Sequence, residues 1–188
     1  MKFGFTFLLF ITMLAAHAQV GKGRYLIGGS VDISHLTQGT ETRNFDMSIS
    51  PRFGVFVVKG FAVGGRYSFG VASRRVFKQK ENRYLPATTF TTAIGPELSY
   101  FIGKKPLKGL VSVYGAYTVY TRLFDGDVQN RNGFAGSGFL GMAYFFNPYV
   151  MLKSGMYVNI AGYEGEFPST RIGFSVGVAA VLDKKKKE

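Results

Sequence analysis

The side chains able to do chemistry in this chain are few, and their spacing suits binding better than catalysis. The 188 residues contain no Cys and two His, which removes thiolate nucleophiles, thiolate metal sites and disulfides. His17 lies in the N-terminal apolar region, so His35, beside Ser34, is the one imidazole left for a site. A hydrolase would need a nucleophile, an orienting acid and that imidazole in one constellation, and nothing around His35 marks one. A lone His is also a poor metal site, and in a polar connection it is a solvated residue. Gly136-Ser137-Gly138-Phe139-Leu140-Gly141 fits G-x-G-x-x-G, but that fingerprint must follow a strand and open a helix, whereas here it falls inside a strand pattern. Asp125-Gly126-Asp127, with Asn130 and Asn132, alternates oxygen ligands as a calcium loop does. No Glu closes it, and a turn-rich loop explains the same residues. The expectation is a protein that is not an enzyme and carries no cofactor and no metal.

The charged residues say more. Lys and Arg number 23 against 11 Asp and Glu, for a net charge of +12. Such a balance suits nucleic acid or a membrane surface; the N-terminus decides for the membrane. Lys2, the apolar run Phe3 to Leu14 and Ala16-His17-Ala18 make a signal peptide with cleavage after Ala18. Its apolar run of twelve falls short of the roughly 20 residues a spanning helix needs. An exported chain meets lipid phosphates and no nucleic acid.

After residue 18 no apolar run is long enough for a membrane helix, and period-2 alternation recurs instead. Tyr25, Ile27, Val31 and Ile33 alternate with Leu26, Ser30, Asp32 and Ser34. From Asn44 to Val58, Phe45, Met47, Ile49 and Phe53 alternate with Asp46, Ser48, Ser50 and Arg52; beyond Lys59-Gly60, Phe61 to Val71 continues with Arg66 and Ser68 on the polar side. Further strands are expected near Thr88 to Ile102, Leu110 to Arg122, Gly133 to Phe146, Tyr149 to Ala161 and Thr170 to Leu182. The connections alternate in length: long and polar near 35–43, 73–87, 123–131 and 162–169, two residues at the second and sixth joints, and intermediate at 103–109. Outer-membrane barrels have that rhythm, with both termini and the short turns in the periplasm. Aromatics gather at the strand ends, Tyr25, Phe61, Tyr100, Tyr144, Phe146 and Tyr149 at one side and Phe45, Phe69, Phe90, Phe134 and Phe167 at the other, as two girdles require. The fold class expected is all-β, an eight-stranded antiparallel up-and-down transmembrane β-barrel over residues 19–182, with 1–18 cleaved and 183–188 a charged periplasmic tail.

That architecture gives the charges their places. Arg52, Arg66, Glu97 and Lys153, with Arg171, share the polar parity with Gly, Ala and Ser. An Arg or Lys facing lipid at midplane costs about 2–4 kcal/mol, so this parity must line the lumen. Glu97 is expected between Arg52 and Arg66, accepting charge-assisted hydrogen bonds from both. Arg74, Arg75, Lys78, Lys80 and Arg83 fall in the second long loop, where they would meet lipid phosphates; Lys59, Lys104, Lys105, Lys108 and Lys184 to Lys187 fall on the opposite rim.

The segments GFAGSGFLGMAYFFNPYVMLKSGMYVN, Gly133 to Asn159, and FDMSISPRFGVFVVKGFAVGGRYSFGV, Phe45 to Val71, resemble hairpins of small bacterial outer-membrane β-barrel proteins of the OmpA and OmpX type, the porin-family barrels. The likeness covers essentially the whole mature chain. It implies insertion in the cell outer membrane by the barrel-assembly machinery and contact with outer-membrane lipids, including lipopolysaccharide. Such barrels end on an aromatic; this chain ends its last strand at Leu182, followed by Asp183, four Lys and Glu188, with Phe174 the nearest internal aromatic of that strand. Eight strands leave a lumen just wide enough to fill with side chains, which favours a structural, adhesive or surface-interaction role. A narrow porin-like channel for ions or small solutes is the alternative, and a soluble lipocalin-like carrier would need the inverse polarity.

Overall fold

A computed structural model describes residues 21–38, 42–78, 83–103, 106–125, 127–163 and 169–183. The expected signal peptide and its cleavage site, Lys80, Lys104, Lys105, Phe167 and Lys184 to Lys187 lie outside the described residues. Eight strands follow in order: β1 (Tyr25–Gln38), β2 (Thr42–Val58), β3 (Phe61–Lys78), β4 (Arg83–Ile102), β5 (Leu107–Phe124), β6 (Asp127–Phe145), β7 (Val150–Tyr163) and β8 (Ser169–Leu182). Each pairs antiparallel with the next, and β1 pairs with β8 from Tyr25↔Leu182 to Ser34↔Gly173, closing the barrel. Closure satisfies every strand edge internally, which is what a sheet surrounded by hydrocarbon requires.

The shortest strands have 14 residues. At about 3.3 Å per residue and a tilt near 40° such a strand rises about 35 Å, more than an apolar band of about 25 Å. The outer surface carries that band: Ile94, Val113, Leu140, Met156 and Val178 are each more than half exposed. In water this would be a large unpaired apolar surface; in lipid it is solvated. Aromatic pairs flank it, Tyr25 with Phe53 and Phe61 with Tyr100 towards the termini, and Phe69 with Phe90 and Tyr117 with Phe134 towards the other end.

The short turns explain themselves. Gly60 adopts φ 78° between β2 and β3, a backbone region that costs glycine nothing. Between β6 and β7, the Asn147 side-chain carbonyl accepts from the N–H groups of Tyr149 and Val150, both at 2.8 Å, an Asx turn. Three prolines sit within strands, Pro51 in β2 and Pro86 and Pro96 in β4, and at two of them a ladder skips. The β2–β3 ladder passes from Ile49↔Phe69 to Arg52↔Arg66 across Pro51, and the β4–β5 ladder from Ile94↔Tyr117 to Glu97↔Tyr114 across Pro96. Proline has no N–H to give, and the ladders resume immediately beyond it.

Two expected loops shrink. Residues 73–87 were expected to form a polar loop, yet pairing continues through Arg74↔Ala87, Val76↔Leu85, Phe77↔Tyr84 and Lys78↔Arg83. The charges disguise an alternation of β-formers on both arms. Residues 123–131 likewise pair through Leu123↔Val128 and Phe124↔Asp127, turning at Asp125 with φ 53°, a conformation that Asp tolerates. His35 is not in a loop either: it belongs to β1, opposite Phe45.

Candidate functional site

The candidate site is the lumen, and its side chains stack in four layers from the terminal end to the loop end. The first is apolar. Leu26, Phe56, Phe101, Leu110, Phe145, Met151 and Val181 form one buried cluster across the bore, with Phe56, Phe101, Leu110, Met151 and Val181 at 0% exposure. Phe101 packs its ring 5.6 Å from Phe56 and 6.4 Å from Phe145. Full burial of each large side chain is worth about 1.5–3 kcal/mol, so this layer is a plug. The polar parity hid it: on each strand these residues share a row with serines, glycines and charges further along. Lys108, expected on the exposed rim, lies inside with its Nζ 5.5 Å from the centre of the Phe145 ring. Its parity is that of Leu110, so the strand carries it inward, and a cation over an aromatic face regains part of its lost hydration.

The second layer holds Glu97, Arg52 and Lys153, all nearly fully buried. Arg52 Nη1 donates to Glu97 Oε1 at 3.2 Å. Ser99 shares a hydrogen bond of 2.8 Å with Ser112 beside this pair. Lys153 Nζ stands 5.1 Å from the centre of the Phe139 ring. Gly177 makes room for it: a Cβ there would come within 2.8 Å of Lys153 Cε and 2.2 Å of the Gly29 carbonyl oxygen.

The third layer is built around Asp32. Its Oδ2 accepts from Arg66 Nη2 at 2.6 Å, Ser50 at 3.0 Å and Ser48 at 3.3 Å, and its Oδ1 accepts from Ser175. The Arg66 guanidinium lies 5.1 Å from the centre of the Tyr114 ring, whose hydroxyl donates to the Arg66 carbonyl at 3.2 Å. Arg66 therefore does not share Glu97 with Arg52, as the sequence reading placed it. Arg52 and Arg66 are direct cross-strand partners, and like charges so placed repel. The fold answers with two carboxylates, Glu97 for Arg52 and Asp32 for Arg66. Asp32 was legible as an inward residue of β1, but its pairing depends on a register that one sequence does not display.

The fourth layer joins Asp46 to Arg171, with Nη1 to Oδ2 at 3.0 Å. Above and around it lies a polar cavity of about 100 Å3, lined among others by Asp32, Arg66, Tyr157, Asn159, Tyr163 and Arg171. Tyr157 lies over Gly173, where a Cβ would meet its ring at 2.7 Å. Tyr163 pairs with Tyr120, ring centres 5.0 Å apart.

Of the cations expected to meet lipid phosphates, Arg74, Arg75 and Lys78 belong to β3 and Arg83 to β4. The calcium-like motif is divided, Asp127 on the inward row of β6 and Asn130 and Asn132 on the outward one. The glycines of the G-x-G-x-x-G match lie within β6.

No protein-family model matches the chain, and no curated protein matches it in sequence. Solved structures do match in fold. Neisserial surface protein A is 16% identical, with a TM-score of 0.54 over 84% of this chain and 96% of its own. The outer-membrane protein OprG of Pseudomonas aeruginosa is 14% identical, with a TM-score of 0.54 over 89% of this chain and 99% of its own. The N-terminal β-barrel domain of OprF from the same organism is 13% identical, with a TM-score of 0.52 over 86% of this chain and 99% of its own. The chain has the fold of these small outer-membrane barrels.

Proposed function

We propose that the chain is an integral outer-membrane protein with a sealed lumen, whose role is structural or interactive, not catalytic and not conductive. The observation that carries this reading is the plug of Phe56, Phe101, Leu110, Phe145 and Val181 across the terminal end of the bore. An apolar exterior over a polar interior supports placement in lipid and opposes a soluble carrier, whose polarity is the reverse. On this reading residues 1–18 direct export and are removed after Ala18, the termini lie in the periplasm, and the β3–β4 hairpin meets the outside. Arg74, Arg75, Lys78, Lys80 and Arg83 are then the cations for lipopolysaccharide phosphates, and the barrel-assembly machinery is the partner during insertion.

The cavity at the loop end favours one competing reading, a narrow channel. It ends on buried ion pairs and then on the plug, so a path through would require both to part. Export and orientation are tested in cells. Ala18→Pro should leave a precursor at the inner membrane, and a protease-cleavable tag after Lys80 should be cut in intact cells. Normal processing of the variant, or a protected tag, would contradict the reading.

A further inference from the structure

Some strands run on past the height at which the wall is closed. β6 begins at Asp127 and pairs with β5 from Phe124↔Asp127 onwards, whereas its ladder with β7 begins only at Gly133↔Tyr163. From Asp127 to Asn132, β6 therefore has β5 on one side and, among the described residues, no strand on the other. The segment is not a lone ribbon, because β4 backs β5 along it, from Ala87↔Phe124 to Thr92↔Val119. A sheet thus rises past the rim of the barrel, and one of its edges offers backbone N–H and C=O groups to a further strand. The sequence of that edge, Asp127-Val128-Gln129-Asn130-Arg131-Asn132, indicates what fits it. Antiparallel partners share a face of the sheet, so two copies of the edge meet only in registers centred on a residue. Centred on Val128 the register sets Asp127 against Gln129, and centred on Asn130 it sets Val128 against Asn132. Centred on Gln129 it sets Asp127 against Arg131, and does so twice because the pairing is isologous. Opposite charges directly across two strands stabilise their pairing, and like charges weaken it.

We infer that this edge binds a second copy of the chain, with Asp127 to Arg131 of the two molecules paired as antiparallel strands about Gln129 and the two sheets joined into one. Main-chain hydrogen bonds hold the contact, and the Asp127–Arg131 pairs select its register and partner. The twofold axis of such a pair is perpendicular to the sheet, and a barrel wall stands upright in its membrane, so the two barrels point in opposite directions. Copies in one membrane are parallel and do not meet this way. Copies in two facing membranes do, so the contact is one between neighbouring cells or vesicles. That meaning deepens the interactive role proposed above and rests on the loop end facing outside. The pairing itself does not, so purified barrel in detergent tests it separately, and its failure there would leave the outer-membrane reading standing.

Analytical ultracentrifugation of the barrel in detergent should show a dimer that grows with concentration. Asp127→Arg sets Arg against Arg and Arg131→Asp sets Asp against Asp, so each variant alone should dimerise at least tenfold more weakly. Mixed with each other, the two variants should recover the affinity of the unaltered chain, because every charged pair across the contact is again Arg against Asp. The chain has no Cys, so Gln129→Cys provides one thiol per molecule, and the two at the centre of the contact would stand about 4.5–5.5 Å apart at Cβ. A short bifunctional thiol reagent should link that variant into a dimer and leave Lys59→Cys, at the opposite end of the barrel, as a monomer. Circular dichroism and heat-modifiable gel mobility report that each variant is folded, and the edge variants lie beyond the closed wall. Vesicles carrying the two charge variants separately should aggregate only on mixing; vesicles that stay dispersed would overturn the contact between facing membranes. A monomer at every concentration, charge variants that dimerise singly as the unaltered chain does or do not recover on mixing, or an unlinked Gln129→Cys variant would overturn the pairing.

Discussion

The two halves of the lumen are built from the same alternation and end in opposite chemistry. At the terminal end the inward rows supply Phe56, Phe101, Leu110, Met151 and Val181, all without exposure. Towards the loops the same rows supply Asp32, Asp46, Arg66 and Arg171, paired at 2.6 and 3.0 Å beside a cavity. One half gains stability by excluding water and the other by pairing charge. Polarity along a barrel strand is thus set twice, across the wall by parity and along the axis by layer. A sealed base under a polar mouth is what a protein would have if it presents a surface and passes nothing through.

The contrast is broken most severely at Asp32. Asp32→Ala removes the acceptor for Arg66 and for three serines, leaving a partly buried guanidinium uncompensated, which costs up to about 3–5 kcal/mol. Urea unfolding in micelles should show a loss near the top of that range. Phe101→Ala should come next, at about 3–4 kcal/mol, from lost burial and the cavity left between Phe56 and Phe145. The same unfolding curves decide it; a loss within error would mean that the plug is loosely packed. Finer still is the division of partners in the middle layers. A double-mutant cycle of Arg52 with Glu97 should give a coupling above about 1 kcal/mol, and one of Arg66 with Glu97 less than about 0.5 kcal/mol. Equal couplings would restore a single shared network in place of two separate pairs.

Much of this was legible before the fold was known. Alternation placed the strands, and the cost of charge in lipid assigned Arg52, Arg66, Glu97 and Lys153 to the inward parity, where they lie. What alternation does not carry is register. Asp32 and Arg66 are 34 positions apart on strands that are not neighbours, and only the shear of the closed barrel brings them to one height. Lys108 was misplaced for a related reason: a lysine next to a short turn reads as a rim charge, yet its parity takes it inside over Phe145. The long hairpins were missed because Arg74, Arg75 and Lys78 read as loop, while Val76↔Leu85 and Phe77↔Tyr84 continue the ladder between them.

The sealed base is the central claim, and single-channel recording in planar bilayers tests it most directly. The unaltered barrel should give no reproducible open steps, whereas the double variant Phe56→Ala, Phe101→Ala, verified as folded, should give them once the apolar layer no longer closes the bore. Steady conductance from the unaltered protein, unchanged in the double variant, would contradict it.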